Sequence, residues 1–247
     1  MHMEIFVPKS YSELTAAQSR WMFRTLAKNP ELNSVEFKTF AFLRFAGLHV
    51  ITKDYESGDF LIKLGRSIFR IDAAQIAGAI RHLDWTLFPP ARPWRPDRIA
   101  WRRPTDADFS DVDFKTYIAV DNLYQGYLQT YDLGLIRRIA DMLVPSPHRP
   151  FREWELAAVF HWIASVKDFF VKKFPHFFSP ADSNSLAGSG TLPSHKQIED
   201  AMNAQIRALT KGDISREEEI LSMPCWRALV ELDSQAREYQ ELKAKTK

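Results

Sequence analysis

Apolar residues recur every three to four positions through most of the chain, the spacing of amphipathic helices. Capping boxes begin three of these segments, at Thr15, Asn33 and Asp72. In a capping box, a side-chain oxygen and a Glu or Gln three residues later satisfy free N–H groups at the helix start. The pattern therefore predicts helices that end near Ala27, Gly47 and Leu83. Three further helices are predicted over 113–130, 133–143 and 152–174.

The segment from Arg152 to Phe174 is the longest periodic stretch. Its main apolar stripe consists of Leu156, Phe160, Ile163, Phe170 and Phe174, with a second apolar row beside it. A helix that is apolar around most of its circumference is normally buried. We therefore expect this helix to lie at the centre of the core.

Three short runs rich in β-prone residues lie near the N-terminus, at 48–53, 60–64 and 67–71. The gap Gly65-Arg66 has the spacing of a two-residue hairpin turn. We predict a three-stranded antiparallel β-meander. The predicted fold class is mainly α (α+β), a helical body with this small meander near the N-terminus and a C-terminal helical pair.

Proline and Ser/Gly-rich stretches suggest how the chain is divided. Residues 86–104 contain five prolines, which remove hydrogen-bond donors and favour extended backbone, so an irregular arm is predicted there. Residues 179–194 read as a flexible linker. The predicted organisation is a body over 1–178 and a C-terminal helical segment over 195–247. A capping box at Ser215 is predicted within that segment.

The balance of charge and the use of cysteine limit the classes of function. The chain has 247 residues and a formal net charge of +2, so any basic surface must be local. The single cysteine, Cys225, excludes an internal disulfide and a thiolate zinc site. No apolar run approaches the ~20 residues that span a bilayer. The sequence therefore predicts a soluble cytoplasmic protein that does not bind membranes.

The arm contains the sharpest local chemistry in the sequence. Guanidinium groups hold phosphates and indole rings stack on bases, so a nucleic-acid surface is one hypothesis. Its residues are Arg92, Trp94, Arg95, Arg98, Trp101, Arg102 and Arg103. The acidic run Asp106, Asp108, Asp111 and Asp113 follows directly. The alternative is that this run offsets the arm's charge, by internal pairing or by self-association between copies.

Aromatic residues at the end of the long helix suggest a protein-docking site. The segment Phe174-Pro175-His176-Phe177-Phe178 leads into the predicted linker, and exposed aromatics beside a mobile segment are typical of docking surfaces. Simple burial is the alternative. The predicted partner-binding residues are Phe174, Phe177, Phe178, Trp226 and Leu229.

The sequence contains no recognisable catalytic or metal-binding motif. Seven histidines are scattered without HExxH spacing, and the chain contains no GxSxG, P-loop or GxGxxG pattern. We therefore predict a protein that is not an enzyme, with no catalytic residue, metal or cofactor. A spatial cluster around His82, His161 or His176 would restore the enzyme hypothesis.

Several stretches resemble uncharacterised proteins from phage-derived regions of gut Bacteroidetes genomes. The similar stretches are IFVPKSYSELTAAQSRWMFRTLA, NLYQGYLQT, FPHFF and AMNAQIRALTKGDISREEEILSMPCWRAL. The C-terminal part is similar in style to phage tail assembly chaperones, small helical proteins that keep a tape-measure protein soluble. This chain is longer than those chaperones and has a predicted sheet.

The resemblance implies a non-enzymatic phage or prophage assembly protein, tail assembly chaperone-like or tail-associated, that acts through protein–protein contacts. Its partners would be phage tail or other assembly proteins, in the cytoplasm of a bacterial host or in the virion. A structural virion component is the close alternative within this class. A nucleic-acid-binding accessory protein of a mobile element, using the Arg/Trp-rich arm, is the alternative from another class.

Overall fold

The computed structural model describes residues 6–178 and 195–245, and the chain forms two compact units, residues 1–90 and 91–247. The fold is mainly helical, with one three-stranded antiparallel sheet near the N-terminus and helices at the C-terminus. This confirms the predicted fold class. The predicted linker at 179–194 lies outside the described residues. No helix in the described part of the chain is both long and apolar enough to span a bilayer.

Within residues 6–90, the first unit contains three α-helices and the sheet. Its elements are α1 (Ala16–Lys28), α2 (Ser34–Phe45), β1 (His49–Lys53), β2 (Phe60–Leu64), β3 (Ser67–Ile71) and α3 (Ala73–Ile80), with 3₁₀ turns at Tyr11–Glu13 and Arg81–Leu87. The predicted capping boxes at Thr15, Asn33 and Asp72 are all present. Each of these residues is the N-cap, and its helix begins at the next residue. Local side-chain chemistry thus sets these helix starts.

The sheet packs one face onto the core of this unit. The strand order is β1-β2-β3, with Ile62 paired to Phe69, and a bulge interrupts β1 between Val50 and Thr52. Ile62 is fully buried in a cluster with Phe42 and other apolar residues of α2 and α3. All five residues of β1 are exposed, so β1 is a solvated edge strand.

The second unit is helical. Its elements are α4 (Phe114–Thr130), α5 (Leu133–Leu143), α6 (Glu153–Lys173), α7 (His195–Thr210), α8 (Glu217–Leu221) and α9 (Cys225–Lys245), with a 3₁₀ turn at Ile214–Arg216. Its core surrounds α6, where Trp162 and Phe170 are fully buried, which confirms the predicted central helix. Leu209 of α7 and Leu229 of α9 belong to the same buried cluster as α6.

The predicted capping box at Ser215 is wrong. Asp213 instead accepts hydrogen bonds from the backbone N–H and the hydroxyl of Ser215, at 3.0 and 2.7 Å. The chain forms a 3₁₀ turn there, and α8 begins after Arg216 without a side-chain cap. Asp213 acts as the cap because it lies two residues before the Ser215 N–H, and Asx turns favour this spacing.

Candidate functional site

A tight turn in the arm presents Trp101 to solvent. Ile99 and Arg102 exchange two backbone hydrogen bonds of 2.9 Å, so Ala100 and Trp101 occupy the two central positions. Both have positive φ, 47° and 69°, as in a type I′ turn. Ala100 is buried, whereas Trp101 is 60% exposed.

The backbone of this turn is strained, because its two central residues do not readily adopt the positive φ that the turn requires. Gly, Asn and Asp are the residues that adopt positive φ readily, and neither Ala nor Trp is among them. Each such residue costs roughly 1–3 kcal/mol and persists only where surrounding contacts determine the conformation. Strained residues of this kind cluster at functional sites. The exposed indole at a strained position therefore marks Trp101 as a candidate contact residue.

Glu155, in the first turn of α6, is the contact that holds the turn in place. Its carboxylate accepts four hydrogen bonds and is only 1% exposed. One oxygen accepts from Arg149 Nη2 at 2.7 Å and from the Ala100 N–H at 2.9 Å. The other accepts from Arg149 Nη1 at 2.8 Å and from the Arg152 N–H at 2.9 Å. One buried carboxylate thus joins the arm, α6 and the segment before it.

The titration behaviour of this pair follows from its contacts. Burial alone would raise the pKa of Glu155, but the hydrogen bonds from Arg149 and the two backbone N–H groups outweigh burial and lower that pKa below its ordinary value. The hydrogen bonds between Arg149 and Glu155 also raise the pKa of Arg149. Both groups are therefore charged at neutral pH, and the bidentate geometry is of the strong kind.

A second strained loop supports the same turn. Ser146, before α6, also has a positive φ of 47°, and its carbonyl oxygen accepts from Arg102 Nε at 3.0 Å. The guanidinium of Arg149 lies 6.0 Å from the centre of the Trp101 ring, a cation–π distance. We call the surface formed by Arg98, Trp101, Arg102, Ser146 and Arg149 the Trp101 surface.

The predicted nucleic-acid residues have different roles in the structure. Arg95 fastens the arm, because its guanidinium donates to the carbonyls of Pro96, Pro104 and Thr105, at 2.6 Å for the shortest bond. Arg98 donates to the Trp101 carbonyl at 3.3 Å. Of the other predicted nucleic-acid residues, Arg92 is exposed and Trp94 is half-buried. Arg103 is exposed, and its Nη2 lies 3.8 Å from Asp106 Oδ1.

The predicted partner-binding residues lie in or against the core of the second unit. Phe174 is 3% exposed and Leu229 is fully buried. Trp226 is half-buried, its ring lies 5.7 Å from that of Phe174, and its Nε1 donates to the Asp108 carbonyl at 2.8 Å. Phe174, Trp226 and Leu229 thus contribute to the core, and the ring contact of Phe174 with Trp226 joins the residue at the C-terminal end of α6 to α9.

The segment from Phe174 to Phe178 is fastened to α9. Asp233 accepts hydrogen bonds from the backbone N–H groups of His176 and Phe177, at 2.8 and 2.9 Å. Phe177 and Phe178 are half-buried and pack against the core. Together these contacts order the segment that was predicted from the sequence to be a docking site.

The acidic run after the arm is held by side chains from α6 and α9. Trp162 Nε1 donates to the Ala107 carbonyl at 2.7 Å, and Cys225 Sγ lies 3.2 Å from the Phe109 carbonyl. Burial raises the pKa of the Cys225 thiol to about 12, so the thiol is protonated at neutral pH. Cys225 therefore has the properties of a structural residue.

Next to the acidic run lies the larger of two adjoining surface cavities, with a volume of about 580 Å³. It is lined by Asp113, Lys115, Ile214, Ser215, Glu217, Glu218, Leu221 and Ser222. A second cavity of about 330 Å³ shares Ile214 and Glu217 with it and extends along α7. We call the two together the acidic groove, because three carboxylates, those of Asp113, Glu217 and Glu218, line it against the two cationic groups of Lys115 and Arg207.

Within residues 6–178 and 195–245, no three His, Cys, Asp or Glu side chains are grouped so that they could hold a metal ion. No protein-family model, curated protein or solved structure matches the chain.

The sequence predicted Trp101 as a nucleic-acid-binding residue and indicated no role for Glu155 or Arg149. One signal was available: Glu155 is three residues after Arg152, at the position where a Glu side chain accepts the free N–H of the N-cap residue. The hydrogen bond from the Ala100 N–H to Glu155 joins residues that are 55 positions apart, and no local sequence pattern predicts it.

Proposed function

We propose that this protein is a non-enzymatic assembly protein that acts through protein–protein contacts, and that the Trp101 surface is one of its contact surfaces. Following the resemblance in its sequence, we place it among phage or prophage assembly proteins, tail assembly chaperone-like or tail-associated. Its partners would then be tail or other assembly proteins in the bacterial host cytoplasm or in the virion.

The observation that supports this proposal is the exposed indole of Trp101 on a strained turn. Trp, Tyr and Arg are enriched at the energetic centres of protein interfaces, and Arg98, Arg102 and Arg149 belong to the same surface as this Trp. The Glu155 contacts order the turn before a partner arrives, so little conformational entropy is lost on binding.

The test is capture of proteins encoded by the surrounding genes, with tagged wild-type protein and two single variants. Trp101→Gly removes the ring and keeps a residue that tolerates positive φ. Tyr131→Gly is the matched control, because Tyr131 is also exposed and has a φ of 55°. We expect Trp101→Gly to reduce capture at least tenfold and Tyr131→Gly to leave it unchanged. Equal capture by all three proteins would contradict a role for the Trp101 surface.

Nucleic-acid binding is the second candidate function, because Arg98 and Arg103 are exposed within three residues of Trp101 along the chain and an indole can stack on a base. It is tested by fluorescence anisotropy with a labelled 20-nucleotide single strand at 50 and 200 mM salt. Binding that falls steeply with salt, and is lost in Arg98→Ala/Arg103→Ala, would favour it over protein contact. Arg95→Ala is unsuitable as a test, because Arg95 fastens the arm.

A further inference from the structure

We propose that this protein associates with itself head to tail, with the Trp101 surface of one copy inserted into the acidic groove of the next. The inference rests on the proposed role of the Trp101 surface as a protein contact, and it names a second copy of the chain as the occupant. Both surfaces belong to the second unit.

The charges of the two surfaces are complementary. The Trp101 surface carries the guanidinium groups of Arg98, Arg102 and Arg149, and the exposed Arg103 follows Arg102 along the chain. The larger part of the groove presents the carboxylates of Asp113, Glu217 and Glu218 against the single ammonium of Lys115. Guanidinium–carboxylate pairs combine charge with directed hydrogen bonds. Residues 91–247 contain equal numbers of basic and acidic residues, so no net charge of this unit opposes the approach of a second copy.

The size and lining of the groove suit an aromatic side chain. A volume of about 580 Å³ lies within the range of pockets that enclose whole small ligands, so it has room for one indole and an adjacent guanidinium. The groove also offers an apolar contact, because Ile214 is 83% exposed on its wall and Leu221 is half-buried beside it. An indole between these side chains would remove apolar surface of both copies from water.

The symmetry of the contact follows from the fact that the Trp101 surface and the acidic groove are different parts of each copy. The residues that line the groove and those of the Trp101 surface do not overlap, so each copy offers one of each. Such a heterologous contact generates closed rings or open helical chains, according to the rotation between copies. A pair of copies therefore keeps one unused Trp101 surface and one unused groove.

The experiment is sedimentation velocity on full-length protein from 1 to 100 μM in 50 mM salt, with two interface variants. Trp101→Gly removes the inserted ring, and the double variant Glu217→Arg/Glu218→Arg reverses the charge of the groove. The matched control is Glu238→Arg/Glu241→Arg, which makes the same charge change at exposed positions of α9. Circular dichroism establishes that each variant is folded.

We expect the wild type and the α9 control to form species larger than dimers, and each interface variant alone to be monomeric. An equimolar mixture of the two interface variants should form a 1:1 dimer and nothing larger, because the mixture contains one intact surface of each kind. Raising the salt from 50 to 500 mM should shift wild-type association to at least tenfold higher concentration, since exposed charges are screened.

A wild-type protein that stays monomeric at 100 μM would overturn the inference, as would a mixture of variants that fails to dimerise. If Trp101→Gly still loses capture of other proteins under those conditions, the proposed function stands and only self-association fails. If copies associate but Trp101→Gly captures partners normally, self-association stands and the proposed use of Trp101 for other partners fails.

Discussion

Trp101 combines a costly backbone conformation with an exposed side chain, and the two properties can be separated by substitution. We expect Trp101→Gly to be about 1 kcal/mol more stable than Trp101→Ala, because an L side chain at positive φ costs roughly that much relative to Gly. Thermal unfolding of the two variants measures the difference. Equal stabilities would show that the turn relaxes to another conformation when the ring is lost.

Glu155 determines how the stability of this region depends on pH. Its folded pKa is lowered, so its stabilising contribution is complete above the ordinary value of 4.5 and is lost as the pH falls through the folded value. We expect Glu155→Gln to cost about 2 kcal/mol at pH 7. This is less than the ~3–5 kcal/mol for a fully buried pair, because the Arg149 side chain is 22% exposed and can reach solvent.

Urea unfolding between pH 3 and 7 measures both effects of this substitution. Wild-type stability should decrease below about pH 4.5, and the decrease should be smaller in Glu155→Gln, which has no carboxylate to protonate at that position. Glu153→Gln is the matched control, because Glu153 is an exposed carboxylate in the same helical turn. Identical pH profiles for wild type and Glu155→Gln would contradict the assignment.

At the scale of elements, one carboxylate supports the junction between α6 and α9, beside the ring contact of Phe174 with Trp226. Asp233 on α9 accepts two backbone N–H groups beyond the end of α6 and thereby orders the segment that contains Phe177. We expect Asp233→Ala to lower the unfolding free energy by about 1–2 kcal/mol, since hydrogen bonds to a charged acceptor are lost. Chemical denaturation measures this loss. Glu238→Ala, on an exposed position of the same helix, should stay within about 0.5 kcal/mol of wild type.

Element boundaries were predictable where their cause is local. The starts of α1, α2 and α3 follow from the side chains of Thr15, Asn33 and Asp72, and the meander follows from β-prone runs separated by turn residues. The start of α8 was mispredicted because Asp213 and Ser215 both offer a capping oxygen within two residues, and the hydrogen bonds form to Asp213.

At the scale of the whole molecule, the C-terminal helices supply part of the core of the second unit. Leu209, Ile220, Cys225 and Leu229 are buried in the cluster that surrounds α6. We therefore expect a chain truncated after Pro193 to be insoluble or to bind the dye ANS strongly. A chain that ends at Glu241, and so loses only the last residues of α9, should unfold at the wild-type temperature. A soluble, cooperatively unfolding product of the first truncation would contradict this view.

The sequence by itself determined the helices, the meander, the irregular arm and the aromatic and basic character of Trp101 and its neighbours. These properties depend on periodicity, capping and turn chemistry, which act over a few residues. The tertiary structure alone decided that Arg95 fastens the arm, that Phe174 and Leu229 are buried, and that Glu155 holds the Trp101 turn. Each of these outcomes depends on which distant residue fills a position in space. Long-range packing determines which residues come into contact, and a single sequence does not show which distant residues these are.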